Sequence, residues 1–593
     1  MLNNEILRNQ LVSRRTFIIG AGKLGLITLL ASRMFYIQMI KKDEYKTLSD
    51  KNRISMILLP PARGQIYDNS GKIIATNRQC FRLLLDKSAN KNYQEEIELI
   101  AKSLDLTLQK KTYILNKLQK ASKRTPVLIL DQLDWQQISI IEEHKIKLSS
   151  IFIDMGYIRN YPIGMATGHV IGYTGQINEQ EKQELKINNS TDFNIGKAGI
   201  EKYYEQTLRG EFGYKQMEIN AYGKYVREIT HEASKQGNDL YLNIDSELQN
   251  KIYPYLNRQG CSAIVMDCYN GNVILLANTP AFEPNNFTKL SQEYWSSLIS
   301  SPYKPLINKA VQSSYPPGSV FKLITILAAL EASISPDKIV NCTGESALGG
   351  NNFRCSSKHG HGLLDMRGAI KYSCNTYMYK LGRLIGPDKI LEMAEKFSFG
   401  KATGIDLPSE ASGFLPSKKW KKSKYKTDWS IGDTFNLSIG QGFLLATPIQ
   451  MARFSAAIAS NGKLLIPQLQ RTDNINFEQI NIAAEHLTFI QEAMFLSVNE
   501  SGGSAYHSRI STSEHQFAGK TGTSQVQSKA NADDDLSRES IAWEKRNHAI
   551  FIGFGPYAKP RYAVTVFVDH GGGGRVAAPI ANRIMSEIFQ KYL

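Results

Sequence analysis

One segment restricts the fold of this chain more than any other, the run YPPGSVFKLITILAALEA that begins at Tyr315. After Lys322 the run is mostly apolar on every side, so no polar stripe remains to face water. A helix with this pattern is buried within a large domain. The Pro-Pro-Gly turn predicts that the helix starts beside Ser319. The sequence therefore requires other elements that surround this segment.

Ser319 and Lys322 are three positions apart on this predicted helix, so one face would carry both, with the Lys amine in reach of the Ser hydroxyl. Burial desolvates a lysine and lowers its pKa, which lets the amine accept a proton. The two residues are thus a candidate nucleophile and base. Ser-x-x-Lys alone is a weak signal, because chance matches are expected in a chain of this length.

Two further short elements follow in the sequence. Ser373-Cys374-Asn375 lies between predicted helices, and its hydroxyl and amide could relay a proton and hold a substrate carbonyl. The run HQFAGKTGTSQV predicts a strand that contains Lys520-Thr521-Gly522-Thr523. There the glycine would admit a substrate backbone, and the Lys and Thr side chains would donate to a carboxylate. The three elements in this order are the signature of penicillin-recognising serine enzymes.

The remaining patterns predict mixed α and β structure in more than one domain, as 593 residues require. KKTYILNKLQKA has helical spacing, whereas PVLIL and SSIFIDMGYI favour strands. From Asp239 the pattern changes, and CSAIVMDCYNGNVILLANT predicts two strands joined at Asn270-Gly271. HAIFIGFGP and RYAVTVFVDHG predict two antiparallel strands of the same sheet. We place one domain at residues 41–240 and a second at 241–593.

The run TFIIGAGKLGLITLLAS, extended by MFYIQMI, predicts one membrane helix over residues 16–40, after a short segment at 1–15. Lys23 and Arg33 interrupt it, and both could reach the membrane surface. No small-residue cleavage site follows, although SRRTFI is similar to a twin-arginine signal, so a retained anchor is favoured over a signal peptide. Basic residues flank both ends and do not orient the helix: Arg8, Arg14 and Arg15 before it, and Lys41, Lys42, Lys46, Lys51 and Arg53 after it.

The net charge of +16 favours anionic surfaces such as phospholipid or lipid-linked phosphates. We do not expect nucleic-acid binding, because no nucleic-acid-binding motif accompanies the scattered lysines. The run at 571–574, GGGG, lacks the Lys-Ser/Thr of a phosphate-binding loop and predicts a plain loop.

The chain resembles the class B penicillin-binding proteins from end to end. The resemblance lies in the three elements and in the segments RGQIYDNSGKIIATN, GHVIGYTG, GKAGIEKYYEQTLRG, TPAFEPNNF, NLSIGQG and HAIFIGFGP. The chain is most similar to the penicillin-binding protein 2 group, the elongation transpeptidases. This similarity lies in RMFYIQ at the end of the anchor, in HGHG and in SIGQG.

This resemblance implies an α/β (α+β) architecture of membrane anchor, pedestal domain and transpeptidase domain with a five-stranded antiparallel sheet flanked by helices. It implies that Ser319 attacks the bond between two D-alanines of a peptidoglycan stem while Lys322 takes its proton. The oxyanion would meet the N–H groups of Ser319 and Thr523. Ser373 and Asn375 would pass a proton and orient the peptide, and the strand motif would hold the terminal carboxylate. No organic cofactor is implied.

The resemblance also implies a place and partners. The catalytic domain would lie in the periplasm, held by a single span in the bacterial inner membrane. Its partners would be peptidoglycan stem peptides, lipid-linked precursor strands and, since residues 41–240 hold no glycosyltransferase motif, a polytopic membrane glycan polymerase. A serine β-lactamase, a D,D-carboxypeptidase and a non-catalytic penicillin-binding scaffold remain alternatives.

Three of the six cysteines lie with one histidine within 33 positions: Cys342, Cys355, His361 and Cys374. Three thiolates and one imidazole are a common ligand set for structural zinc. Some relatives similar to this chain carry Asp, Asp, His and Cys at the matching places, so the resemblance here is inexact. His359 is a rival ligand, and a Cys342–Cys355 disulfide is the competing interpretation.

Overall fold

The computed structural model describes residues 2–42, 54–87, 89–90, 92–121, 126–184, 193–219, 225–256, 259–526 and 541–593. Lys46, Lys51 and Arg53 lie outside them. The first helix is Leu2–Phe35 and continues as a π-helical turn, Tyr36–Ile40. Within it, Thr16–Ile40 spans 25 residues at a mean hydropathy of 1.4 and packs against nothing else described. Its length suffices to cross a bilayer.

The pedestal consists of short helices around two small sheets. One sheet joins Ile54–Leu59, Gly213–Ile219 and Tyr225–Glu232, and the other joins Ile66–Tyr67, Ile73–Leu85, Val127–Leu133 and Ile151–Asn160 with Leu240–Tyr241. A further pair is Thr174–Gln176 and Asn194–Gly196. The helices are Tyr93–Ser103, Leu108–Lys120, Trp135–Glu143, Gly168–Ile171, Glu179–Glu184, Gly199–Tyr203 and Glu205–Arg209, with 3-10 turns at Lys145–Lys147 and Gly164–Thr167. The predicted helix and strands of this region are confirmed.

A buried ion-pair network ties the pedestal elements together. Glu201, on helix Gly199–Tyr203, has no exposed surface and receives Arg63 Nε and Arg159 Nε, each at 2.6 Å. Arg159 also donates to Asn77 Oδ1 at 3.0 Å. A buried charge is tolerated when it is paired and hydrogen-bonded, so these side chains depend on one another.

The second domain is built on one antiparallel sheet, in which the first and last strands of the domain meet as predicted. Its order is Val273–Thr279, Cys261–Asp267, Tyr562–Val568, His548–Gly555 and Ala518–Ser524. Short strands outside it are Val340–Cys342, Glu345–Leu348, Asn351–Arg354, Gly362–Leu364, Lys463–Leu465 and Phe477–Gln479. The five-stranded antiparallel sheet is confirmed.

Helices cover both faces of this sheet. Side chains such as Ile550 and Ile552 pack against the helices on one face, and Phe551 packs with the C-terminal helix on the other. Because both faces are buried, these strands are continuous apolar runs rather than alternating ones. The helices of the domain are Ser246–Ile252, Gln292–Ser300, Lys309–Gln312, Lys322–Glu331, Met366–Lys371, Asn375–Lys396 with a break at Gly386, Lys418–Tyr425, Ile431–Ser438, Pro448–Ala459, Ala484–Asn499 and Ala577–Tyr592.

The predicted central helix is Lys322–Glu331, and every residue from Lys322 to Leu330 is buried. Burying a side chain the size of Leu323 or Ile326 contributes about 1.5–3 kcal/mol, so this helix organises the core around it. The α-helix begins later than the sequence predicts. Gly318–Val320 forms a 3-10 turn first, since Gly318 has a positive φ of 57° that an α-helix does not accommodate.

The two domains are joined by strand pairing and by side chains at their boundary. Leu240–Tyr241 pairs in parallel with Ile66–Tyr67 of the pedestal. Tyr592, on the C-terminal helix, donates its hydroxyl hydrogen to Asp245 and accepts one from Asn69 Nδ2 at 3.1 Å. This joint places Asn69 of the pedestal and Tyr592 of the last helix in one hydrogen-bonded group.

Candidate active site

The candidate nucleophile lies on the 3-10 turn that precedes the central helix. Ser319 is half-buried, whereas its neighbours Gly318 and Val320 are buried. On one side of the turn, Gly318 N donates to Gly440 O at 2.9 Å. On the other side, the strand lies so close that a Cβ on Gly318 would be 2.4 Å from Thr523 O. The absence of a side chain at Gly318 therefore lets the turn pack directly against the strand Ala518–Ser524.

Lys322 is completely buried one helical turn after Ser319. Its Nζ donates to Asn375 Oδ1 and to Ser373 O, both at 2.6 Å, and lies 3.2 Å from Ser373 Oγ. The amine nitrogen thus reaches the second sequence element, 51 residues further along the chain. Such contacts compensate the cost of burying a charged or polar nitrogen.

The backbone of the second element is unusual. Ser373 lies between helices Met366–Lys371 and Asn375–Lys396 with a positive φ of 58°, which is rare for a residue with a side chain. Strained residues of this kind concentrate at functional sites. Two contacts hold the element in place: Ser356 Oγ donates to Ser373 O at 3.2 Å, and Asn375 Nδ2 donates to Arg354 O at 3.1 Å.

The third element lies on a strand, as predicted, and that strand is at the edge of the sheet. Lys520 is fully buried, and its pKa is lowered by burial and then by the nearby charge of Lys322. Thr521 Oγ1 donates to Ser504 Oγ at 2.9 Å. A Cβ on Gly522 would meet Val320 Cγ2 at 3.0 Å, so this glycine accommodates the nucleophile turn. Its predicted approach to a substrate backbone stays a prediction.

Three residues that sequence reasoning did not single out support this strand. Gln441 Nε2 donates to Thr523 O at 3.0 Å, and Gly574 N donates to Thr523 Oγ1 at 3.3 Å. Ser504 is the third, through Thr521. Gln441 lies in the SIGQG segment, whose only sequence signal is its resemblance to the penicillin-binding protein 2 group, and Gly574 lies in the glycine run that is expected to be a plain loop. The structure thus assembles all three sequence elements and adds a supporting layer.

The four residues of the predicted metal site also meet, beside the second element. Their ligand atoms all lie within 4.8 Å of one another, and His359 is exposed and outside the group. Cys342 Sγ and Cys355 Sγ are 3.7 Å apart, and Cys355 Sγ and Cys374 Sγ are 3.8 Å apart. His361 Nδ1 lies 3.5 Å from Cys342 Sγ and 3.6 Å from Cys355 Sγ.

These distances discriminate between the two interpretations of the cysteines. A disulfide needs sulfur atoms about 2.0 Å apart, so Cys342 and Cys355 are not bonded in this structure, and none of the six cysteines, all of them described, forms a disulfide. Tetrahedral zinc with Zn–S bonds of about 2.3 Å separates two sulfurs by about 3.8 Å. The donor set and its spacing fit zinc.

Comparisons with known proteins agree with this architecture. The family models of the penicillin binding protein transpeptidase domain and the penicillin-binding protein dimerisation domain match residues 261–586 and 58–242. The peptidoglycan D,D-transpeptidase MrdA of Acinetobacter baumannii is 34% identical over 581 residues, which cover 94% of this chain and 85% of that protein. This chain belongs to the penicillin-binding protein 2 family. The MrdA of Escherichia coli is 29% identical over 97% of this chain and 94% of its own length.

Solved structures of penicillin-binding protein 2 have the same fold. The Helicobacter pylori protein in complex with MreC matches with a TM-score of 0.81 and 30% identity over 91% of this chain and all of that chain. The Pseudomonas aeruginosa protein in complex with WCK 5153 matches with a TM-score of 0.66 and 27% identity over 90% of this chain and 96% of that chain. The resemblance drawn from the sequence is confirmed.

Proposed function

We propose that this chain is a peptidoglycan D,D-transpeptidase that cross-links stem peptides during cell elongation through an acyl-enzyme on Ser319, and that β-lactams inhibit it by acylating the same oxygen. The observation that carries the proposal is the convergence of Lys322 on Ser373 and Asn375, next to a nucleophile turn packed on the strand of Lys520. Three elements far apart in the chain thereby form one acyl-transfer site.

In the proposed reaction, Ser319 Oγ attacks the carbonyl carbon between two D-alanines and its proton passes to Lys322, directly or through Ser373. The N–H groups of Ser319 and Thr523 stabilise the oxyanion. The tetrahedral intermediate collapses, and the terminal D-alanine leaves as the amine after it receives the proton. The amine of a neighbouring stem then attacks the ester, which forms the cross-link and returns the Ser319 hydroxyl.

The carboxylate of the donor stem is assigned to the strand motif. Lys520, Thr521 and Thr523 supply a cation and two hydroxyl groups, and Gly522 keeps the strand close to the nucleophile. Burial lowers the pKa of Lys520, and a bound carboxylate would offset this by favouring the charged amine. With little water to screen them, the two charges would attract each other strongly.

Fluorescent penicillin tests the nucleophile. Ser319→Ala should abolish labelling, and the matched variant Ser314→Ala, five positions earlier, should keep it. A labelled peptide that maps to another serine would refute the assignment. Incubation of the wild-type protein with peptidoglycan precursor strands should yield cross-linked dimers, whereas shortened monomers alone would indicate a carboxypeptidase.

We also propose the orientation of the anchor. The apolar helix Thr16–Ile40 would span the bacterial inner membrane once, with the transpeptidase domain in the periplasm, where the stem peptides are. Protease added to spheroplasts should digest the folded domains and leave a tag placed before residue 16 intact. Digestion of the tag instead would reverse the orientation.

A polytopic membrane glycan polymerase is the proposed partner, since residues 41–240 carry no glycosyltransferase motif. The similar Helicobacter pylori protein forms a complex with MreC, which supports membership of a larger assembly. Substitutions on the exposed surface of the pedestal should impair wall growth while penicillin labelling persists. A variant without residues 1–40 that fully restores growth would contradict coupling through the anchor.

A structural zinc ion is proposed for Cys342, Cys355, His361 and Cys374. The support is that all four ligand atoms lie within 4.8 Å of one another and that N–H groups face two sulfurs: Asn375 N donates to Cys355 Sγ at 3.3 Å and Tyr377 N to Cys374 Sγ at 3.4 Å. Both contacts favour thiolates. Elemental analysis of the purified protein should find about one zinc per chain, and the Cys355→Ser variant should contain none.

A further inference from the structure

The pedestal contains a cavity of ≈ 420 Å³, away from the residues assigned to acyl transfer. Four arginines line it, together with two aspartates: Arg63, Arg82, Arg159, Arg209, Asp131 and Asp154. The four arginines come from four parts of the pedestal that are separate in sequence. The cavity is thus unusually rich in guanidinium groups, which form the forked hydrogen bonds that oxyanions accept.

Several hydrogen-bond donors of these residues are buried and have no partner among the described residues. They are Arg82 Nε, Arg159 Nη2, Arg209 Nε and Nη1, and the hydroxyl of Thr174, which also lines the cavity. Arg159 and Thr174 are only 5% and 2% exposed. Buried donors are nearly always paired in proteins, so this cluster indicates a missing acceptor.

Three carboxylates nearby pair with arginines, whereas Glu205 Oε1 is buried without a partner among the described residues and Asp131, in the cavity wall, accepts from Gln132 N at 2.9 Å. Glu201 and Glu205, behind the cavity, pair with Arg63, and Glu201 also pairs with Arg159. At the rim, Asp154 Oδ2 receives Arg82 Nη2. Arg209 differs from the other three arginines, because no carboxylate among the described residues lies within ion-pairing distance of it. Its guanidinium lies beside the Phe212 ring. Its charge is available to a ligand.

The backbone makes room for one of these side chains. A Cβ on Gly156, which also lines the cavity, would lie 2.3 Å from Arg82 Nε. The guanidinium of Arg82 therefore occupies the space that any other residue at position 156 would fill. This packing holds an arginine in the cavity wall with its Nε unpaired.

We propose that this cavity binds a phosphate-bearing anion. Four guanidinium nitrogens and one hydroxyl exceed what the two oxygens of a carboxylate would use, whereas a phosphate offers three acceptor oxygens. The volume leaves room for a diphosphate or a phosphate ester. A soluble phosphate compound and a lipid headgroup share this chemistry, and both are tested.

Binding is measured with the full-length protein in non-ionic detergent by isothermal titration calorimetry. One arm uses inorganic pyrophosphate, and the other compares dihexanoyl phosphatidylglycerol with dihexanoyl phosphatidylcholine. We expect saturable binding in at least one arm, weakened more than tenfold by Arg209→Gln and weakened by added salt. Binding of pyrophosphate identifies a soluble source, and binding of the glycerol lipid alone identifies a headgroup.

Two further variants keep the test decisive. Gly156→Ala should weaken binding without removing a charge, because it displaces Arg82. The control Arg78→Gln removes an exposed arginine of the same strand that does not line the cavity, and it should leave binding unchanged. A wild-type urea-unfolding transition, followed by a fluorophore in the pedestal, shows that each variant is folded. Absence of saturable binding in both arms, or equal weakening by Arg78→Gln, would overturn the proposal.

Discussion

Lys322 Nζ donates a hydrogen bond to Asn375 Oδ1 at 2.6 Å, and Asn375 Nδ2 donates in turn to Arg354 O at 3.1 Å. The amide is therefore held at both ends and cannot rotate without the loss of a hydrogen bond. Because Lys322 is fully buried, its amine depends on these fixed oxygens. The position of the candidate base is thus set by residues of the second element as well as by its own helix.

Lys322→Ala should lower the rate of penicillin acylation by about 10²–10⁴-fold, since the Ser319 hydroxyl loses its proton acceptor. It should also reduce the free energy of unfolding by about 1–3 kcal/mol, because Asn375 Oδ1 is left buried without its donor. Stopped-flow acylation and urea denaturation measure the two effects. Lys419→Ala, an exposed lysine of another helix, should change neither. A normal acylation rate in Lys322→Ala would transfer the base role to another residue.

Gly318→Ala should separate the nucleophile turn from the edge strand. Its Cβ would lie 2.4 Å from Thr523 O, and the residue has a φ of 57°. Gly349→Ala is a matched control, because Gly349 has a φ of 55° and nothing within 4 Å of its Cβ position. Both variants should lose the roughly 1–2 kcal/mol of a left-handed residue, but only Gly318→Ala should also slow acylation, by at least about tenfold. Equal acylation rates would show that the contact with Thr523 is dispensable.

The pedestal should lose stability in acid through Glu201. Burial alone would raise the pKa of this carboxyl, but Arg159 and Arg63 outweigh it and hold the pKa below 4.5. Since the folded pKa is lower than the unfolded one, the stabilisation is complete above about pH 4.5 and is lost as the pH falls through the folded value. Urea denaturation from pH 7 to pH 3, followed by a pedestal fluorophore, should reveal this loss. Glu201→Gln should destabilise the pedestal by about 3–5 kcal/mol at pH 7 and flatten the acid dependence.

Removal of zinc should affect acylation as well as stability. Cys374 lies between Ser373 and Asn375 in sequence, so a change in the four-residue cluster moves both neighbours. Chelation, or Cys355→Ser, should lower the Tm and slow penicillin labelling, and zinc should restore both in the chelated protein. Cys80→Ser, in the pedestal, should alter neither. Full labelling at an unchanged Tm after complete removal of the metal would end the zinc proposal.

The sequence predicted those parts of the fold that depend on local patterns. The run after Lys322 is apolar all round, and it is the buried central helix; the apolar runs around Ile264 and Ile550 are strands of one sheet. The domain boundary at residue 240 stays a prediction. The start of the central helix was misplaced, because the positive φ of Gly318 is imposed by the neighbouring strand rather than by local preference.

The candidate site, like the fold, was predictable only as far as it depends on local sequence patterns. Residue types and order gave the three elements, but not the support of Thr523 by Gln441, 82 residues away, or the left-handed backbone of Ser373. The arginine cavity was not predicted at all. Arg82, Arg159 and Arg209 belong to different segments with ordinary surroundings in sequence, and only the packing of the pedestal brings them together. Contacts over such separations leave no pattern in a single sequence.

The joint between the two domains has a consequence for the order in which the protein matures. Asn69 and Tyr592 are 523 residues apart, so their hydrogen bond forms only after the whole transpeptidase domain has been synthesised. A chain exported during synthesis would present the pedestal to the membrane long before that. The joint can therefore close only after the last helix has been made, so it ties the pedestal to a catalytic domain whose sequence is already complete.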